Sequence, residues 1–214
     1  LEEHEEKRDD MSCFYLIASL PAIALLQKPL ITPEAFHEVC REQLRSRDSL
    51  AAGWLCSHDV ITGSASAPPH TFIRNWCAHE TRLRNAVVRQ RAERRKADFV
   101  GSLRPQTGYS VYLEDMVESA FDQPTPLVRE QALDRLRWHL LDEMAGLDPF
   151  AVSVVLAYAA KLRMAHRWAA LDEDTARQRV ENALQTVNRD TRGLDRPPLE
   201  TKPKPPASGS QYEG

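Results

Sequence analysis

Two short Cys-x-His pairs, Cys56-Ser57-His58 and Cys77-Ala78-His79, are the first residues whose types suggest chemistry, because thiolate and imidazole together are zinc ligands. The spacing argues against that role. On a helix, residues two apart point about 200° away from each other, so the second pair cannot close on one ion, and neither pair fits a standard structural zinc pattern. The reading is of half-buried thiols and surface histidines, with no metal. The four cysteines (Cys13, Cys40, Cys56, Cys77) lie far apart and include no Cys-x-x-Cys, so reduced cytosolic thiols are expected rather than a disulfide framework. Carboxylates are richest at Glu130, Asp134, Asp142 and Glu143, where paired acids would suit general acid–base work. They alternate with Arg129, Arg135 and Arg137, and ion pairs along a helix face explain that pattern better. The phosphate-binding, nucleophile-elbow and His-Glu-x-x-His motifs are missing from the sequence. No catalytic residue and no cofactor is therefore assigned, and the chain is not read as an enzyme.

The remaining feature is charge. Residues 74–96 carry eight bases against Glu80 and Glu93, a net of +6, in a chain whose formal charge is −3. Arg84, Arg91 and Arg95 fall on one helical face, and Arg82, Arg89 and Lys96 on another, leaving a single apolar stripe of Phe72, Trp76, Leu83 and Val87 for packing. Arg82, Arg84, Arg89, Arg91 and Arg95 are thus candidate protein-contact residues, because clustered exposed bases suit an acidic protein surface. Phosphate backbones offer the same complementarity. No nucleic-acid recognition motif accompanies the patch, however, and a helical nucleic-acid-associated protein stands as the alternative reading rather than the first.

The elements that would position these residues are helices. Leu, Ala, Arg and Glu dominate, only 8 glycines occur, and hydrophobic residues make up 42% of the chain. Thr32-Pro33 marks a helix start, a capping hydroxyl before proline at the first helical position. A short helix is expected over 46–57, a loop at 61–70, and a long helix over 71–99. The break at 101–108 precedes another short helix at 110–121. A strong helix at 127–145, with Leu133, Leu136, Leu140 and Met144 as its stripe, is closed by Gly146. Asp148-Pro149 is expected to open the next, running through Trp168, and Asp172 a last one to about 188. The result is an all-α multi-helix bundle, with room for one body or two small helical lobes.

Residues 1–10 (LEEHEEKRDD), net −4, read as a solvated extension before a candidate natural start at Met11, residues 11–190 as the helical domain, and 191–214 as a disordered proline-rich tail. The uncharged run 12–27 is too short to span a bilayer and is interrupted by Pro21, so a buried helix or extended core segment is expected in place of membrane insertion.

Three stretches resemble one bacterial family encoded among V-type ATPase subunit genes: FYLIASLPAI (14–23), WCAHETRLRNAVVRQRAERR (76–95), and LDRLRWHLLDEM (133–144) with LAYAAKLRMAHRWAALD (156–172). That family is distantly similar to the V-type subunit called C or d, an all-helical socket between central rotor shaft and membrane ring. The resemblance implies a non-catalytic subunit or assembly partner in rotary ion or proton transport. Its partners would be the other V-type ATPase subunits of the central stalk and membrane ring, and its place the cytoplasmic face, peripheral to the inner membrane. The chain is shorter than that subunit, which argues against a full three-lobed socket.

Overall fold

Four of the described helices start at side chains that capture orphan N–H groups of the first turn. In the computed structural model, which describes residues 13–58, 67–98 and 100–171, Thr32 Oγ1 accepts from Ala35 N at 3.2 Å and Pro33 opens α2 (Pro33–Gln43). Helix α1 covers residues 13–19, and α3 spans Ser46–Ser57. His70 Nδ1 accepts from Phe72 N at 3.1 Å to start α4 (Thr71–Arg95). Because that nitrogen accepts, Nε2 carries the proton and donates to Asp48 at 3.1 Å, tying the first turns of α3 and α4 together. Ser110 caps α5 (Val111–Phe121), and Thr125 with Pro126 caps α6 (Pro126–Ala145). The last described helix is α7 (Val152–Ala169).

The fold is all-α, and no strand occurs among the described residues. All of these residues belong to the compact unit Leu1–Leu171. Helix α3 lies along both α2 and α7, α7 packs on α6, α6 on α5, and α5 on α4. One continuous apolar cluster runs from Leu16 and Phe36 through Trp76, Leu83 and Val117 to Leu141, Leu156 and Leu162, so the described residues form one body and not two lobes. The α2–α3 approach is close: a Cβ on Gly53 would sit 2.4 Å from the His37 ring, which accounts for a helix-interior glycine that otherwise costs about 1 kcal/mol.

Two expected boundaries move. Helix α7 begins at Val152 and not at Pro149, because Asp148 Oδ1 accepts from Phe150 N at 3.0 Å and is spent on a turn instead of a cap. Helix α4 ends at Arg95, before the glycines: Lys96 takes the left-handed conformation (φ 51°), and Lys96 N and Ala97 N bond back to Glu93 and Ala92 carbonyls. The 103–110 segment is also more than a break. Buried Asn85 accepts from Arg104 N at 3.0 Å and donates to Arg104 O at 2.8 Å and Gln106 Oε1 at 2.7 Å, pinning this loop to α4.

The uncharged N-terminal run leaves the helix at Leu20 and continues as an extended strap over residues 20–31. Among its described residues only Cys13 and Leu16 of the run are buried; Phe14, Tyr15 and Leu26 are exposed, so the run lies on the core as a surface segment rather than inside it. The strap is held from α7 by Tyr158, whose hydroxyl donates to Pro21 O at 2.8 Å, and by His166, whose Nε2 lies 2.9 Å from Ile31 O. No described helix is long and apolar enough to cross a membrane. The expected extension at 1–10, the start at Met11, residues 61–66 of the loop, the helix at 172–188 and the tail at 191–214 lie outside the described residues.

A core substitution and a surface one should separate cleanly. Leu162→Ala, at a fully buried site on α7, is expected to cost about 2–5 kcal/mol in urea unfolding. Leu147→Ala, at a fully exposed site, is expected to stay within about 0.5 kcal/mol.

Candidate functional site

The basic helix α4 sorts its arginines by what they meet. Arg89 is half-buried and forks onto Glu114 of α5, with Nε 3.3 Å from Oε2 and Nη2 on Oε1. Arg82 turns back along its own helix, Nε donating to Ala78 O at 3.4 Å. Arg94, which was not among the candidates, pairs with Asp122 at 2.6 Å and lies over the Phe121 ring. Arg84, Arg91 and Arg95 remain. They recur at i, i+7 and i+11, which keeps them on one face, and among the described residues none of them has a hydrogen-bond or ion-pair partner. Arg91 and Arg95 are exposed and Arg84 is half-buried. The candidate set therefore divides: Arg84, Arg91 and Arg95 form an outward stripe, and Arg89 belongs to the α4–α5 packing.

Helix α4 also buries more than the expected single stripe. Ile73, Glu80, Asn85, Ala86 and Ala92 are buried beside Phe72, Trp76, Leu83 and Val87. Glu80 is the informative one. It accepts from Arg137 Nε of α6 at 2.8 Å, and Arg137 Nη1 donates to Asp134 Oδ1 at 2.9 Å. Asp134 is fully buried, and its other oxygen takes Trp168 Nε1 at 2.7 Å together with the Arg167 guanidinium, both from α7. Two carboxylates and two guanidiniums thus form a charge-balanced cluster joining α4, α6 and α7. Burial strips water from Arg137 and favours its neutral form, but Glu80 and Asp134 more than offset this and hold its pKa above the ordinary arginine value.

That cluster corrects the reading of the α6 carboxylates. Asp134 and Arg137 do pair at i,i+3, but inside the protein rather than on a solvated face. Asp142 is the surface member, pairing with Lys161 of α7, and Glu143 lies 3.4 Å from His139. The sequence held a signal for the buried pair. Asp134 stands seven residues before Leu141, and Glu80 stands between Trp76 and Leu83 on the apolar stripe, positions that a helix turns inward.

The Cys-x-His pairs are placed by different packing. Cys56 is buried on α3 with its thiol 3.6 Å from Ala159 O of α7, and burial pushes its pKa up. His58 stacks on Trp54. Cys77 is half-buried on α4, its thiol also raised by burial, while burial and nearby Arg82 pull His79 down. Among the described residues no three His, Cys, Asp or Glu side chains converge as metal ligands.

Among the described residues, fold and surface together define a helical body with Glu80, Asp134 and Arg137 paired inside it and an arginine stripe on α4 without partners. The family described as a protein of unknown function (DUF2764) matches residues 107–191, a span that contains α5, α6 and α7. The chain is similar to that family over this region. No curated protein and no solved structure matches the chain.

Two measurements probe this charge arrangement. Asp134→Ala should cost about 3–5 kcal/mol, because it breaks a fully buried ion pair and takes the shared acceptor from Arg137, Arg167 and Trp168, whereas Asp122→Ala, at the exposed Arg94 pair, should cost about 0–1 kcal/mol. Thiol labelling of the native chain should modify Cys77 well before Cys40 and Cys56. Cys40 is fully buried with its pKa pushed up to about 12 by desolvation and then by Cys13, and Cys56 is similarly enclosed, so both require unfolding to react.

Proposed function

We propose that this chain works by binding other proteins, as a non-catalytic subunit or assembly partner of a V-type ATPase, with Arg84, Arg91 and Arg95 of α4 meeting an acidic surface of a neighbouring subunit. The observation that carries a binding role is the outward arginine stripe. The other arginines of α4 beyond residue 80 have partners, Arg89 on Glu114, Arg94 on Asp122 at the surface and Arg82 on Ala78 O, yet these three leave like charges aligned on one face with no partner among the described residues. Like charges along a helix face are mildly destabilising, so a stripe of this kind favours a complementary partner, where it sets partner choice and encounter rate. The resemblance of 14–23, 76–95, 133–144 and 156–172 to proteins encoded among V-type ATPase genes names that partner. A rigid helical body with a charged contact face suits an adaptor between central stalk and membrane ring.

Reversing Arg84, Arg91 and Arg95 to Glu tests the proposal. The triple variant is expected to fold with a melting temperature within a few degrees of the original, because each exposed charge is worth about 0–1 kcal/mol. It is expected to lose co-purification with the other ATPase subunits. Reversing Arg47 and Arg135, exposed on α3 and α6, should leave co-purification intact. A variant that folds and still co-purifies shows that the contact lies elsewhere. A wild-type chain that never co-purifies, but binds DNA with steep salt dependence lost in the triple variant, transfers the stripe to the nucleic-acid reading.

A further inference from the structure

On a different part of the bundle, the end of α1 and the start of the strap face α6 and α7 across an open groove of about 340 Å³. Its walls are apolar: Leu20 and Ile23 on one side, Ala145 and Val154 on the other. The Tyr158–Pro21 hydrogen bond fixes the separation of the two walls. One end is polar and holds Lys161, whose side chain is only 11% exposed. Its ammonium pairs with Asp142 and lies 5.0 Å from the centre of the Trp138 ring.

The chemistry of that end is specific. An ammonium has three N–H donors, and Asp142 supplies the one carboxylate partner among the described residues. The remaining donors face an open groove and can take a second acceptor from it, and a charged acceptor is bound roughly twice as strongly as a neutral one. Asp142 itself is 57% exposed, so it can remain solvated while a second carboxylate takes the inner side of the ammonium. Its charge also disfavours a dianionic head such as phosphate. The volume lies at the small end of ligand pockets, about 300–1,000 Å³, which suits one unbranched chain and is too small for a lipid with two. From this combination of an apolar channel and a lysine whose stem is largely covered while its ammonium keeps spare donors, we infer that the groove binds a free single-chain fatty acid of medium length. The carboxylate sits on Lys161 and the chain lies along Leu20, Ile23 and Val154.

Titration calorimetry on the full chain tests this with three probes of equal length, decanoate, decanol and decylamine, each kept below its aggregation concentration. Decanoate is expected to bind one site at least about tenfold more tightly than decanol, with decylamine the weakest, as an added charge-assisted hydrogen bond requires. Lys161→Met should bring decanoate to the level of decanol, Lys161→Arg should keep the preference, and Val154→Trp should fill the channel and abolish binding of both. If Val154→Trp does not fold, the Met and Arg variants decide between the outcomes. No binding, equal affinity for the three probes, or tightest binding of decylamine overturns the proposal. Binding of decanoate that survives Val154→Trp in a folded chain also overturns it, as does association with phospholipid vesicles in place of free decanoate.

Discussion

Asp134 is a fully buried carboxylate, and the arrangement of the C-terminal half follows from the need to satisfy it. A lone carboxylate in a protein interior costs far more than any single contact returns. Here it is met from its own helix by Arg137 and from α7 by Arg167 and Trp168, while Arg137 reaches on to Glu80 of α4. Each bond is directional, so α6, α7 and α4 can satisfy the cluster in one register only. A one-turn slide of α7 would carry Arg167 and Trp168 about 5.4 Å away and leave buried charge unmatched. Replacing such a cluster by apolar side chains is often neutral or stabilising. Its contribution is therefore read as choice of register, with the surrounding leucines supplying most of the stability.

Helix α7 also packs on α3, and both helices carry small residues. Ala51, Ala52 and Gly53 on α3, and Ala157, Ala159 and Ala160 on α7, are all buried. Small side chains let two helix backbones approach closely, and the Cys56 thiol then reaches the Ala159 carbonyl. The charge cluster near the end of α7 and the tight apolar seam further back along it make this helix the common support of the bundle. The strap and the groove both lie against it.

Local grammar was legible and tertiary pairing was not. Thr32-Pro33 and Thr125-Pro126 start helices because hydroxyl and proline each act within one turn. The same grammar misled at Asp148-Pro149, where the carboxylate bonds Phe150 N and the helix waits until Val152. On α4 the alignment of Arg84, Arg91 and Arg95 follows from helical spacing alone. That Arg89 would turn inward does not, since its partner Glu114 lies 25 residues further along. Asp134 and Glu80 have the period of core positions but the chemistry of surface ones, and the chemistry prevailed in the reading. The groove at Lys161 draws its walls from residues 17–23, 138–145 and 154–161, and no one of these stretches carries a sign of it.

The strap over residues 20–31 differs in kind from everything around it. Its only described backbone-to-backbone bonds outside helices are Leu20 N to Ile17 O and Gln27 N to Ala24 O. Its hydrogen bonds to the bundle come from two side chains of α7, Tyr158 and His166, about 12 Å apart along the helix at 1.5 Å per residue, and Leu20, Ile23, Leu25 and Ile31 add only partly buried contacts with the core. Segments fastened this way occupy the low end of the local stability scale, where opening costs far less than global unfolding. The strap should exchange its amide hydrogens and admit proteases while the helices remain closed. Opening would dissolve one wall of the groove, so anything lodged there would slow the exchange of the ten backbone N–H groups of residues 20–31, Pro21 and Pro29 having none, although it touches them only in part.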